Sequence, residues 1–167
     1  MFGVGDTVLY GTKGVCKIEN TEKRYVRSEY RDYLVLRPVF DMNSKIFVPA
    51  DSEAARAKMQ NVISADDAEK MIGSVATADT IWVSDDNERK QHYIGIMDKC
   101  DRMSILRIII TLHIHRAEQA ERGRRLHQSD ETVLRQAEKL LYDEFAYVLG
   151  VSPKEISQQI EERIAMR

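Results

Sequence analysis

Few residues in this chain have the spacing that metal binding or catalysis requires. His113 and His115 are two positions apart, and on a helix that spacing turns their side chains about 200° from each other, too far for a shared metal ion. Neither cysteine has ligand spacing to a histidine. The Gly3-x-Gly5 pair precedes a predicted strand and so is no phosphate loop, and no strand–turn–helix nucleophile motif is present. We therefore expect no metal, no cofactor and no catalysis.

Basic side chains are the more informative set. They gather at the end of a long predicted helix and on the helix before it. Clustered lysines and arginines are typical of a surface that faces phosphates. The predicted surface consists of Arg89, Lys90, Arg116, Arg122, Arg124 and Arg125. The alternative is that these cations complement a helix C-terminus and are neutralised by Glu118 and Glu121.

Trp82 is the only tryptophan and lies at the junction of a polar segment and a helix. An indole can wedge into a base step while its N–H finds a polar partner. The acidic residues that follow it, among them Asp85 and Asp86, are unfavourable beside phosphate, although helix N-terminal N–H groups can offset them. The alternative is a tryptophan packed between two domains as a hydrophobic hinge.

Short alternating segments dominate the first fifty residues. The period of two predicts strands at 4–10, 15–19, 30–38 and 44–49. Tyr25 and Val26 also favour a strand, and the polar residues 27–29 are typical of a hairpin loop. Several short strands separated by glycine-marked turns predict a small SH3- or Tudor-like β-barrel.

The remainder of the chain has the start and stop signals of helices. Each predicted helix follows a residue that can cap its N-terminus. These helices are 52–59 after Asp51, 65–71 after Ser64, 86–99 after Asp85, 102–120 after Asp101, 130–149 after Ser129, and 153–165 after Ser152. Residues 74–81 are small and polar, which predicts a linker.

The sequence thus predicts an α+β fold in two modules: a β-module at 1–65, a short helix and linker at 66–81, and an all-helical bundle at 82–167. The 167 residues are 43% hydrophobic, which suffices for a packed core, and 31% charged with a net charge of −2. This charge argues against a protein coated in positive charge. We expect free thiols at Cys16 and Cys100, no signal peptide, no membrane span and a cytoplasmic location.

Four separated motifs carry a resemblance to a known family. Val4-Gly5-Asp6-x-Val8-x-Tyr10, Gly14-Val15, Tyr33-Leu34-Val35-Leu36 and Val48-Pro49 resemble the CarD/CdnL family of bacterial transcription regulators. The β-module is also similar to the RNA-polymerase-interacting domain of transcription-repair coupling factors. Residues 138–146 resemble the penultimate helix of the family.

The resemblance implies a role in transcription without chemistry. The β-module would dock on the β subunit of RNA polymerase, and the helical domain would lie on promoter DNA at the upstream edge of the transcription bubble. There Trp82 would wedge into the minor groove and basic residues would hold the backbone. The result would be an altered stability of the open promoter complex.

The resemblance also implies which residues contact the polymerase. They are Arg24, Ile46, Phe47, Val48 and Pro49, on and beside an exposed strand edge. Phe47 stands where familiar members carry an arginine, which predicts a more apolar contact. Period two leaves an alternative in which Ile46 and Val48 belong to the core while Phe47 faces outward.

Two further expectations concern partners. In the alternative function, the chain is a polymerase-associated adaptor whose helical half binds another protein instead of DNA. We expect a monomer, although exposed strand edges permit strand swapping between chains.

Overall fold

Five strands form one antiparallel sheet within the first 61 residues of the computed structural model, which describes residues 1–167. The strands are β1 (Thr7–Tyr10), β2 (Val15–Val26), β3 (Glu29–Pro38), β4 (Ile46–Pro49) and β5 (Met59–Asn61). Their order across the sheet is β4-β3-β2-β1-β5, and a single turn of 3₁₀ helix at Gly11–Lys13 connects β1 to β2.

One face of this sheet carries a hydrophobic core. The alternation of side chains along each strand places every second residue on that face. Leu34 of β3 lies opposite Val48 of β4, and both are buried. The buried members of the core are Val8, Cys16, Ile18, Leu34, Leu36, Val48 and Met59.

The sheet differs from the predicted strands in two places. β2 is one strand of twelve residues, with a register shift between Ile18 and Asn20, where the sequence predicted two pieces. The predicted helix 52–59 is only α1 (Glu53–Arg56), capped by Ser52 instead of Asp51, because Met59 pairs with Tyr10 in β5. The Tudor-like barrel stays a prediction, since the strand order ends at β4 and β5.

Five longer helices form the second of two compact units, Met1–Val62 and Ile63–Arg167. This arrangement confirms the α+β fold in two modules. α5 packs against all four of the others. Their bounds are α2 (Ala65–Gly73), α3 (Asp86–Lys99), α4 (Arg102–Glu121), α5 (Gln128–Leu149) and α6 (Pro153–Ala165). None of the helices is both long and apolar enough to cross a lipid bilayer.

Most helix starts lie where the capping residues predicted them. Ser64, Asp85 and Asp101 each accept a hydrogen bond from the backbone of the first turn, and Ser152 forms a full capping box with Glu155. α5 is the exception. Its cap is the imidazole of His127, whose Nδ1 accepts from the Ser129 backbone 3.3 Å away, so the predicted Ser129 cap is replaced.

The segment predicted as a linker is packed within the helical unit. Val75 is fully buried. The Ile81 N–H donates to the Thr111 hydroxyl of α4 at 2.8 Å, and the Ile81 carbonyl accepts from the Tyr93 hydroxyl of α3. Both backbone groups of Ile81 are therefore fixed, and they position the next residue, Trp82.

Candidate functional site

Arg24 and Phe47 meet on the face of the sheet opposite its core. The Arg24 guanidinium carbon lies 4.2 Å from the centroid of the Phe47 ring. Arg24 is exposed, and Phe47 is 37% exposed. A cation over an aromatic face is stabilising and fixes both groups. We call these two side chains the Arg24–Phe47 patch.

The other predicted contacts on β4 divide between core and edge. Val48 is fully buried in the core and Ile46 packs against it, which confirms the core alternative for Val48. The Val48 side chain is therefore not available to a partner. Pro49, opposite Tyr33, ends the strand. β4 is an edge strand, so its outer backbone groups have no partner strand in the sheet.

Trp82 is 42% exposed and is held by two side chains of the helical unit. The imidazole of His115 lies 4.0 Å from its ring centroid, and the Arg89 guanidinium carbon lies 4.4 Å from it. A cavity of about 240 Å³ borders the indole and His115. Trp82 is thus oriented but keeps part of its ring free. No local pattern predicts that His115 stacks on Trp82, because it lies 33 positions further along the chain.

Arg89 does not belong to the exposed basic surface that the sequence predicted. It is 1% exposed. Its Nε and Nη2 donate to the two Asp130 oxygens at 2.8 and 2.6 Å, and Nη2 also donates to Asp86 at 2.7 Å. The hydrogen bond to Asp130 raises the pKa of Arg89, and the hydrogen bond from Arg89 lowers that of Asp86. Arg89 therefore joins α3 to α5 and leaves the set of candidate phosphate contacts.

The remaining predicted cations lie on the surface. Arg116 pairs with Glu131 at 2.7 Å. Lys90 is exposed on α3 and makes no ion pair. Three exposed arginines without ion pairs lie just after α4, at positions 122, 124 and 125. Neither Glu118 nor Glu121 pairs with them, so their charge is not neutralised locally. We call Arg122, Arg124 and Arg125 the arginine cluster.

The two histidines and two cysteines have separate surroundings. His113 contacts Glu138 at 2.7 Å, whereas His115 lies on Trp82. Cys16 and Cys100 are both buried and unpaired. Burial raises the pKa of Cys16 to about 12 and also raises that of Cys100. Both thiols are therefore protonated at neutral pH, which makes them poor nucleophiles.

Comparison with known families identifies the first unit. Residues 2–63 match the model of the CarD-like/TRCF RID domain. The N-terminal unit is thus a domain of the CarD-like family, similar to the polymerase-interacting domain of transcription-repair coupling factors, which confirms the resemblance seen in its motifs. The chain is accordingly an RNA polymerase-interacting, transcription-associated protein. Among curated proteins, none matches the chain.

Proposed function

We propose that the chain docks on the β subunit of RNA polymerase through its β-module and contacts promoter DNA through its helical unit, altering the stability of the open complex without chemistry of its own. The observation that carries the DNA part is Trp82, a part-exposed indole fixed by His115 and Arg89. The polymerase part rests on the family of the first unit and on the Arg24–Phe47 patch.

The docking contact combines a strand edge with one aromatic side chain. The outer edge of β4 offers backbone N–H and C=O groups in register for a partner strand. Phe47 projects from the same strand and supplies apolar area, while Arg24 keeps a charge beside it. Aromatic and arginine side chains are the residue types that dominate binding energy at interfaces.

The DNA contact combines an indole with unneutralised cations. A part-free indole can stack on a base at a disrupted step, and a prepositioned ring loses less conformational freedom on binding. The arginine cluster and Lys90 supply charges that phosphates attract. A protein that contacts the open form of a promoter better than the closed form shifts the equilibrium by that difference in affinity.

Promoter opening by RNA polymerase tests the proposal. Open-complex lifetime is measured with wild type, with Trp82→Ala and with Ile94→Ala, the last being a matched control at another exposed apolar residue of the helical unit. We expect wild type and Ile94→Ala to change the lifetime equally and Trp82→Ala to lose most of the effect. Equal effects of all three would remove Trp82 from the DNA contact.

Polymerase binding is measured separately with Arg24→Glu and Phe47→Asp. Both side chains are exposed, so we expect each variant to keep its fold and to lose affinity for polymerase. Retained affinity in both would remove the patch from the interface. If wild type binds polymerase but leaves promoter opening unchanged, the chain is an adaptor whose helical unit does not contact DNA.

A further inference from the structure

The β2–β3 hairpin extends beyond β4 and carries a second surface at its tip. The last pair between β3 and β4 joins Tyr33 to Pro49, whereas the β2–β3 pairing continues to Val26 and Glu29. Arg27 and Ser28 form the two-residue loop, both with positive φ, as in a type I′ turn. Residues 29–32 of β3 therefore continue the sheet edge past the end of β4.

Two tyrosines stand on this tip. Tyr25 and Tyr30 are cross-strand partners with ring centroids 5.0 Å apart, and they are 64% and 75% exposed. By alternation they lie on the core side of the sheet, the face opposite the Arg24–Phe47 patch. A fixed pair of exposed tyrosines is typical of a protein-binding surface, because each ring gives a large contact area at a small entropic cost.

The backbone at Tyr30 is directed outward. In a two-residue hairpin the residues flanking the loop, Val26 and Glu29, form a hydrogen-bonded pair, so the next pair, Tyr25 and Tyr30, is not hydrogen-bonded across the strands. The N–H and C=O of Tyr30 thus point to the outer edge. The carbonyl of Asp32, two residues on, points the same way and accepts from the Ala50 N–H at 2.9 Å.

An acidic cleft of about 470 Å³ opens beside this edge. Its lining contains three carboxylates and one guanidinium. Arg31 is paired with Glu29 at 2.7 Å, and Glu29 first and Asp51 second raise the pKa of its guanidinium, so the lining keeps an excess of two negative charges. The lining residues are Glu29, Tyr30, Arg31, Asp32, Ala50 and Asp51.

We infer that this tip cleft binds a basic, extended segment of a partner protein. The outward backbone of Tyr30 would pair with the segment by strand addition, and an arginine or lysine side chain would lie between the Tyr30 ring and the carboxylates of Asp32 and Asp51. The charge of the cleft decides the class of partner: an excess of two carboxylates in its lining attracts a cationic peptide and repels nucleic acid. The side chains of Tyr30 and Asp32 lie on the face opposite the Arg24–Phe47 patch, so they are separate from the side chains assigned to polymerase.

Amide chemical shifts of the full chain test this inference. The probe is the blocked peptide Ac-Thr-Arg-Val-Arg-Thr-NH₂, and its counterpart with glutamate in place of arginine is the control. We expect the arginine peptide to shift the amides of residues 29–32 and 50–51 and the glutamate peptide to leave them unmoved. Shifts spread evenly over the chain, or equal shifts with both peptides, would overturn the inference.

Matched variants test whether the carboxylates of the cleft are the ones that attract the peptide. We expect Asp32→Asn/Asp51→Asn to weaken peptide binding by up to about tenfold, the combined effect of two exposed ion pairs. Glu69→Gln/Glu162→Gln removes the same charge from exposed, unpaired carboxylates of the helical unit and is expected to bind like wild type. Equal weakening in both variants would show a nonspecific attraction and overturn the site. Phe47→Asp is expected to keep peptide binding while losing polymerase, which separates this site from the proposed docking patch.

Discussion

Arg89 and Asp130 form a buried ion pair between α3 and α5, and its contribution to stability can be tested directly. The two side chains are each 2% exposed and share a bidentate contact. Removing one partner leaves a buried charge without compensation, so we expect Arg89→Met to lower the free energy of unfolding by about 3–5 kcal/mol. Urea unfolding followed by helical circular dichroism measures this change.

The double variant distinguishes a coupled pair from two independent contributions. Arg89→Met/Asp130→Leu removes both charges. We expect its loss in the free energy of unfolding to be far smaller than the summed losses of Arg89→Met and Asp130→Leu. Lys70→Met, which breaks an exposed pair with Asp66, is the control and should cost less than about 1 kcal/mol. A loss below about 1 kcal/mol in Arg89→Met would contradict the role given to this pair.

At the scale of residues, the sequence predicted what depends on local alternation and missed what depends on distant partners. The exposure of Phe47 and the burial of Val48 follow from the alternation of side chains along a strand. Arg89 and Lys90 are neighbouring cations with the same local signal, yet only Arg89 is buried, because it faces a carboxylate 41 positions away. No nearby residue marks that partner.

Among the elements, the tip hairpin has a loop that its residue types do not favour. Arg27 and Ser28 have φ of 51° and 69°, values that side chains with a Cβ adopt at a cost. Asn-Gly is the preferred pair for this turn, so we expect Arg27→Asn/Ser28→Gly to stabilise the hairpin by about 1 kcal/mol. Hydrogen exchange of the hairpin amides should then slow by about fivefold.

A substitution that destabilises the hairpin loop is the complementary test. Ser28→Val places a β-branched side chain at positive φ and is expected to accelerate exchange in the same amides. Exchange that is unchanged in both variants would mean that the loop conformation does not limit opening of the hairpin.

Helix starts were predictable and the smallest strand was not, for a physical reason. A cap is a local signal, since the side chain and the backbone N–H that it accepts from lie within three residues. The three residues of β5 are too few to show a period, and their strand is formed by pairing with β1, whose residues lie 49 to 53 positions earlier. Long-range pairing overrides the local helical pattern of residues 52–59.

At the scale of the whole molecule, the proposed function divides between two compact units with separate surfaces. Variants of the β-module should therefore change recruitment by polymerase, whereas variants of the helical unit should change the step that follows recruitment. Sequence motifs identified the first unit because its turns and strands fix residue types at separated points. In the helical unit the motifs predicted only amphipathic helices, because a buried cation and an exposed cation have the same local sequence pattern.

Salt dependence of DNA binding tests the helical unit most directly. Each phosphate neutralised by a cation adds about 0.9 to the slope of log K against log salt concentration. If the arginine cluster contacts phosphates, Arg122→Gln/Arg124→Gln/Arg125→Gln should reduce that slope by about 2 to 3, measured by fluorescence anisotropy on a labelled fork-junction DNA. Lys99→Gln/Lys154→Gln, which removes exposed cations from other helix ends, should leave the slope nearly unchanged. An unchanged slope in the arginine variant would place the DNA contact elsewhere on the helical unit. The absence of salt-dependent binding in wild type would favour the adaptor, because a protein partner of the helices needs no phosphates.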